Sequence, residues 1–182
     1  MTTTKDRIAA RLEQAFSENG FAELGIADLR AAADVSLRTL YKHFPSRDAM
    51  VVEALEHRHR RYLAHVFDDL PEDTEARLEA IFARIGSWMA NNSPAGCIFQ
   101  NALAAQPHRK ELKALLVRHK EEMGRLLAES LGLPDCEAEM RQIHEGAIQS
   151  WIFQGEEAFA IARSLTASLL RSHRDAPSSG RA

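Results

Sequence analysis

Cysteine is scarce in this chain, and long apolar runs are missing. Cys97 and Cys136 are the two cysteines among 182 residues. They are too few for a disulfide scaffold and lack the spacing of metal ligands. No run of 18 apolar residues occurs, and the opening MTTTKDRIAARLEQ has no unbroken apolar centre of an export signal. Alternating β-branched stretches bounded by turns are also absent, which argues against a sheet. There is no phosphate-binding loop, dinucleotide glycine pattern or nucleophile elbow, and HEGAI at His144 lacks the second histidine of a zinc-protease motif. A net charge of −3 excludes indiscriminate coating of nucleic acid. These absences lead to the expectation of a soluble cytoplasmic protein that is not an enzyme, with no metal, no cofactor and no membrane partner.

What is present is helical periodicity. Apolar residues recur at three and four positions almost throughout, so the expected fold is all-α, with about nine helices. Ile8, Leu12, Ala15 and Phe16 mark a first helix ended by Asn19 and Gly20, and Ile26, Leu29 and Ala33 mark a second. After a turn at Asp34–Ser36 comes a third helix, Leu37 to about Phe44, stopped by Pro45. Ser46 caps a long fourth helix reaching Phe67, which DDLPED breaks. A fifth carries Leu78, Ile81, Phe82, Ile85, Trp88 and Met89; a sixth begins near Cys97; Pro107 opens a seventh that GLPD ends. The last two cover roughly 135–153 and 156–172. The expected division is a part of short helices at 1–47, a longer helical part at 48–173, and a disordered tail at 174–182, where RDAPSSGRA offers little to bury.

Charge is unevenly spread. Residues 1–47 hold seven Lys/Arg against six Asp/Glu, whereas the remainder holds 16 against 20. Two short helices joined by a tight turn suggest a helix-turn-helix, whose second helix enters the major groove. On that helix Leu40 and Phe44, four apart, can pack inward and leave Leu37, Arg38, Thr39, Lys42 and His43 open. Ser36 is placed to cap it, with backbone amides that can face a phosphate. The forked donors of Arg38 match guanine O6 and N7.

The segment IADLRAAADVSLRTLYKHFPSRDAM resembles the DNA-binding signature of TetR-type transcriptional regulators, matching at Val35, Ser36, Thr39, Leu40, Tyr41, Phe44, Ser46 and Arg47. GCIFQNAL is similar to a segment at the sixth helix of many relatives. Asp34 stands where a turn glycine is usual, and it is among the few residues that accept positive φ. The resemblance implies that Thr39, Tyr41, Lys42 and Arg47 touch phosphates and that Arg38 and His43 lie nearest base edges of a palindromic double-stranded operator. It also implies a homodimer formed through the last two helices, about 135–172, and release of DNA by a small-molecule effector.

Helices five to eight supply an apolar set with a few polar groups, suited to a small-molecule chamber: Phe82, Trp88, Met89, Cys97, Phe99, Gln100, Asn101, His119, Met123 and Trp151. Cys97 falls near a helix start, where a thiolate is favoured, so a redox- or electrophile-sensing regulator is one alternative. A helical enzyme with Cys97 as nucleophile and His119 or His144 as base is another. Cys136 sits among carboxylates that disfavour a thiolate. In EHRHRRYLAH the histidines His57 and His59 lie two apart and cannot share an ion on a helix, so a solvated basic stretch is expected.

Overall fold

A computed structural model of the chain describes residues 3–93 and 96–175. Nine helices and no strands are found among them: α1 Thr4–Asn19, α2 Ile26–Ala33, α3 Leu37–His43, α4 Arg47–Phe67, α5 Thr74–Asn92, α6 Ile98–Ala105, α7 Lys110–Ser130, α8 Glu137–Gln154 and α9 Glu157–Asp175. The all-α expectation holds. α7 begins three residues after Pro107, because Gln106 to Arg109 first close a turn in which the Arg109 N–H donates to the Gln106 carbonyl at 3.1 Å. At the other end α9 continues through Arg174 and Asp175, beyond the expected start of the tail; residues 176–182 lie outside the described residues.

The chain divides into two compact units, Met1–His65 with Ala95–His119 and Val66–Pro94 with Lys120–Ala182. The first is built around Ile8, Leu12, Phe16, Leu29, Leu40, Phe44, Met50 and Leu55, all sealed from solvent, with Ile98, Leu112 and Leu115 joining them. Local chemistry sets the boundaries of its helices. Thr3 and Asp6 form a capping box on α1, the Asp6 N–H donating to Thr3 Oγ1 at 3.2 Å and the Thr3 N–H to Asp6 Oδ2 at 3.0 Å. The Thr3 hydroxyl, which donates to Asp6 Oδ2 at 2.7 Å, and the Thr3 N–H hold the Asp6 carboxyl below its ordinary pKa. Gly20, with φ 76°, ends α1 in a conformation other residues avoid.

In the second unit α9 packs against both α5 and α8. DDLPED breaks the chain as expected, and two arginines of α5 hold the break. Arg77 donates to the carbonyls of Pro71 (2.7 Å), Glu72 (2.6 Å) and Ser130 (2.7 Å), while Arg84 donates to those of Val66 (3.2 Å), Asp68 and Asp69 (3.2 Å). Gly124 brings α7 and α8 together: a Cβ there would lie 2.8 Å from both the Glu137 carbonyl oxygen and Arg141 Cβ.

Candidate nucleic-acid interface

The turn between α2 and α3 depends on Asp34. It takes the left-handed conformation (φ 52°, ψ 52°), as its replacement of a glycine anticipates, and its N–H donates to the Ala31 carbonyl at 3.1 Å. Arg11 reaches over from α1. Its Nη1 donates to the Ala33 carbonyl at 3.0 Å and lies 3.0 Å from Asp34 Oδ2, so one guanidinium satisfies an orphan carbonyl and the turn carboxylate together. Nothing in the local pattern around the turn pointed to this residue.

Ser36 caps α3: its Oγ accepts the Thr39 N–H at 3.1 Å and lies 2.8 Å from the Thr39 hydroxyl. Leu40 and Phe44 are buried, as the spacing required, and Val35 packs against the same core. The opposite side of α3 is open. Ser36, Arg38 and Lys42 are exposed; Leu37 and Tyr41 are exposed large apolar side chains at 46% and 41%; Thr39 and His43 are half-buried. Arg38 and Lys42 stand one turn apart, as do Leu37 and Tyr41, so the helix offers two adjacent columns, one cationic and one apolar.

Arg47 is differently engaged. Its Nε donates to the Leu24 carbonyl at 3.0 Å and its Nη2 to that of Phe21, with the guanidinium carbon 5.9 Å from the centre of the Phe16 ring. It ties the start of α4 to the loop between α1 and α2. Ser46 is the expected cap of α4, its Oγ accepting the Ala49 N–H at 3.1 Å.

The expectation of a solvated basic stretch on α4 is corrected in part. Glu13 of α1 is buried, and its carboxylate lies 2.6 Å from His57 Nδ1, 3.1 Å from Arg58 Nη1 and 2.8 Å from Arg61 Nη1. Arg58 and His59 are themselves buried, whereas Arg60 and Arg61 remain exposed. Burial pulls the Arg58 guanidinium below its usual range, opposed by the Glu13 carboxylate. A buried acid on α1 has recruited cations that the local pattern assigned to water.

Residues 3–54 match the family model for bacterial regulatory proteins of the tetR family. The match covers the helix-turn-helix end of the chain and less than a third of its length. The likeness in sequence is concentrated in this amino-terminal segment. An HTH-type transcriptional regulator, LuxR of Vibrio harveyi, is 33% identical over 64 residues, which is 35% of this chain and 31% of that relative, so the match spans about a third of its length. At the level of the fold the whole TetR-family architecture is shared. The TetR-family regulator SCO4454 from Streptomyces coelicolor superposes with a TM-score of 0.74 at 23% identity, over 93% of this chain and 95% of that one. A structure described as multidrug binding protein EbrR complexed with malachite green gives 0.63 at 21% identity, over 91% and 96%.

The expected ligand residues fall into both compact units. In the first, Phe99 meets His119 edge to face at 4.7 Å, and His119 stacks on His59 at 3.8 Å between ring centroids, with an interplanar angle of 9°. His119 Nε2 lies 3.1 Å from Glu56 Oε2, and Arg118 bonds the same carboxylate. Burial and the neighbouring His59 push the His119 imidazole down to about 4. His59 and Glu56 were missed from sequence because isolated residues on another helix give no signal. Cys97 and Gln100 are half-buried and Asn101 is exposed. The Cys97 carbonyl accepts the Asn101 N–H at 3.1 Å, but its thiol makes no capping bond. In the second unit Trp88, Met89 and Met123 are buried, Trp151 is half-buried, and Phe82 lines a groove beside Phe159. His144 is sealed inside, its Nδ1 3.0 Å from Glu145 Oε1; Lys120 lies 2.6 Å from that oxygen, and Glu145 is pushed down to about 2. Cys136 is pushed up by burial and by Glu139 and Asp135, in line with its acidic surroundings. No group of three or more potential metal ligands occurs among the described residues, and no described helix is long and apolar enough to cross a membrane.

Proposed function

We propose that the protein is a cytoplasmic repressor that binds a palindromic operator as a homodimer and is released by a small-molecule effector. Residues 1–47 act as the reading part and 48–173 as the effector and dimerisation part, without enzymatic activity. The observation that carries this is the open face of α3, where Arg38, Tyr41, Lys42 and Leu37 are exposed on a helix whose other side is locked into the core by Leu40 and Phe44. Arg38 is assigned to guanine edges, with His43 beside it; Lys42, Tyr41 and Thr39 are assigned to phosphates, together with the amides at the Ser36 cap.

One such helix makes too few base contacts to select a site in a genome, so a pair is required. The surface of α8 and α9 supports pairing. It exposes Ile152 at 68%, Phe153 at 75%, Ile161 at 44% and Leu165 at 53%, and a shallow depression of about 600 Å3 runs along Ala138, Ile143, Leu165 and Leu169. Gly146 on α8 faces open space, which permits close approach of a second helix. α4 runs unbroken from Arg47, beside the reading helix, to Phe67. An effector that prefers the arrangement unfit for DNA lowers operator affinity by that preference and no more. The structure of EbrR, described as a multidrug binding protein complexed with malachite green, supports the effector part of this reading.

The test is selection of bound oligonucleotides, repeated at several salt concentrations. Arg38→Ala should relax preference at one base pair in each half-site, costing about 1–3 kcal/mol there. Lys42→Ala should weaken all sequences alike and reduce the salt slope by about 1. A wild-type protein that selects no sequence refutes the reading.

A thiol-sensing version of the same regulator is supported by one observation: Cys97 is a half-buried free cysteine at the start of α6. Loss of operator binding on oxidation, absent in Cys97→Ser, is its test.

A further inference from the structure

Exposed large apolar side chains are few in the first unit. Among its described residues they are Leu37, Tyr41 and Val117. Two of the three stand on α3, a helix of seven residues, and they are one turn apart there. Single exposed apolar groups are ordinary on a protein surface and ask for no explanation. A pair beside the open cations Arg38 and Lys42 is a different case, because those cations draw the same surface toward phosphate. The chain around Leu37 is otherwise engaged: Val35 and Leu40 pack on the core, and Ser36 Oγ accepts the Thr39 N–H at 3.1 Å. Leu37 stays open to water, 46% exposed.

The two apolar residues differ in what they can meet. Tyr41 ends in a hydroxyl that can bond a phosphate oxygen. Leu37 can neither donate nor accept a hydrogen bond. A recognition helix meets base edges with the side chains of its first turn, and Leu37 stands there next to Arg38. Along the major groove the base edges present donors and acceptors, and the one apolar group is the C5 methyl of thymine. A leucine laid against guanine, cytosine or adenine strips water from a polar edge and returns no hydrogen bond. Against thymine it buries a methyl. Discrimination then comes from a penalty on the wrong bases as well as a gain on the right one.

We propose that Leu37 selects thymine in each half-site by packing on its C5 methyl, at a base pair adjoining the one that Arg38 reads. The inference rests on the operator-binding reading and names a base that the operator carries. Charge decides the occupant of this column. A second copy of the chain would bring Arg38 and Lys42 against their own like charges, whereas DNA brings phosphates.

Oligonucleotide selection with the full chain locates the half-site. Fluorescence anisotropy then measures duplexes in which each thymine in turn is exchanged for uracil in both half-sites, which removes the methyl and nothing else. At one position the exchange should weaken the wild type by about fourfold for each methyl lost. Leu37→Ala should bind the thymine and uracil duplexes within about 1.5-fold of each other; Leu37→Ser replaces it if that variant does not fold. Leu37→Met keeps an apolar tip of similar volume and should retain the response. A selected half-site without thymine, or one whose uracil exchanges are all silent, overturns the inference and leaves the operator reading standing. So does a response that persists undiminished in Leu37→Ala, since another group then holds the methyl and the leucine is only structural. Altered sedimentation of free Leu37→Ala, with the uracil response of the wild type intact in it, gives the column to a second copy and also overturns the inference. A wild type that selects no sequence fails the operator reading itself, and the role of Leu37 falls with it.

Discussion

Arg11 Nη1 sits 3.0 Å from the Ala33 carbonyl and 3.0 Å from the Asp34 carboxylate, bracing from α1 the turn that aims α3. Replacing it by alanine frees that carbonyl and leaves the left-handed Asp34 without its counter-ion. The side chain is 40% exposed, so the cost to stability is modest, about 1 kcal/mol. Operator affinity should fall more than stability, because the recognition helix loses its fixed direction. Denaturant midpoints and anisotropy with a labelled operator, measured on Arg11→Ala, check both halves. Operator affinity equal to wild type rejects the brace.

Arg47 separates two roles that a sequence cannot. The match to the family signature implies a phosphate contact, while its guanidinium is bonded to the carbonyls of Leu24 and Phe21. Arg47→Lys keeps the charge and loses the fork. A strut predicts a loss of about 1–2 kcal/mol in folding stability with an unchanged salt slope for DNA binding. A slope reduced by about 1 at unchanged stability identifies a phosphate ligand instead.

These two arginines also mark where the sequence was readable. The left-handed Asp34, the Ser36 cap and the inward pair Leu40 and Phe44 are decided within four residues of themselves, and each stands where the local pattern put it. Arg11 acts on a carbonyl 22 positions away, and Glu13 holds a histidine 44 positions away. No periodicity encodes such partners. The buried acid changed part of the reading of the α4 cations, since a carboxylate on the inner face of α1 looks in sequence like one more surface charge. The second unit is similar: its helices were legible from their stripes, but the groove beside Phe159 depends on Gly86 being opposite that ring, a pairing of α5 with α9 that only packing reveals.

Acid should cost the protein stability in two successive pH windows. His119, stacked on His59 and bonded to the Glu56 carboxylate that Arg118 shares, has its pKa lowered from 6.5 to about 4. Unfolded chains therefore take up that proton first as pH falls. The stability linked to His119 is complete above pH 6.5, declines below it, and is lost once pH has fallen through about 4, at most about 3 kcal/mol in all. Glu145, lowered from 4.5 to about 2, extends the loss into the next window. His119→Phe keeps a ring against His59 and cannot titrate. Urea midpoints from pH 7.5 to 4.5 should slope less in this variant than in the wild type; parallel curves reject the assignment.

The pairing surface can be tested without touching the reading head. Leu165 is 53% exposed on α9 and lines the depression between α8 and α9, so an arginine there has water to enter in a lone chain and none in a pair. Leu165→Arg should therefore fold normally, since the side chain is not part of the sealed interior. It should sediment as a monomer at concentrations where the wild type is a dimer. Operator affinity should then drop by at least about a hundredfold, because one recognition helix reads only half of a palindrome. Val117→Arg supplies the control: Val117 is exposed to a similar degree, 46%, but lies on α7, in the first compact unit. It adds the same charge and should leave both mass and affinity unchanged. If Leu165→Arg stays dimeric, the copies meet elsewhere, and the exposed Ile152, Phe153 and Ile161 need another explanation.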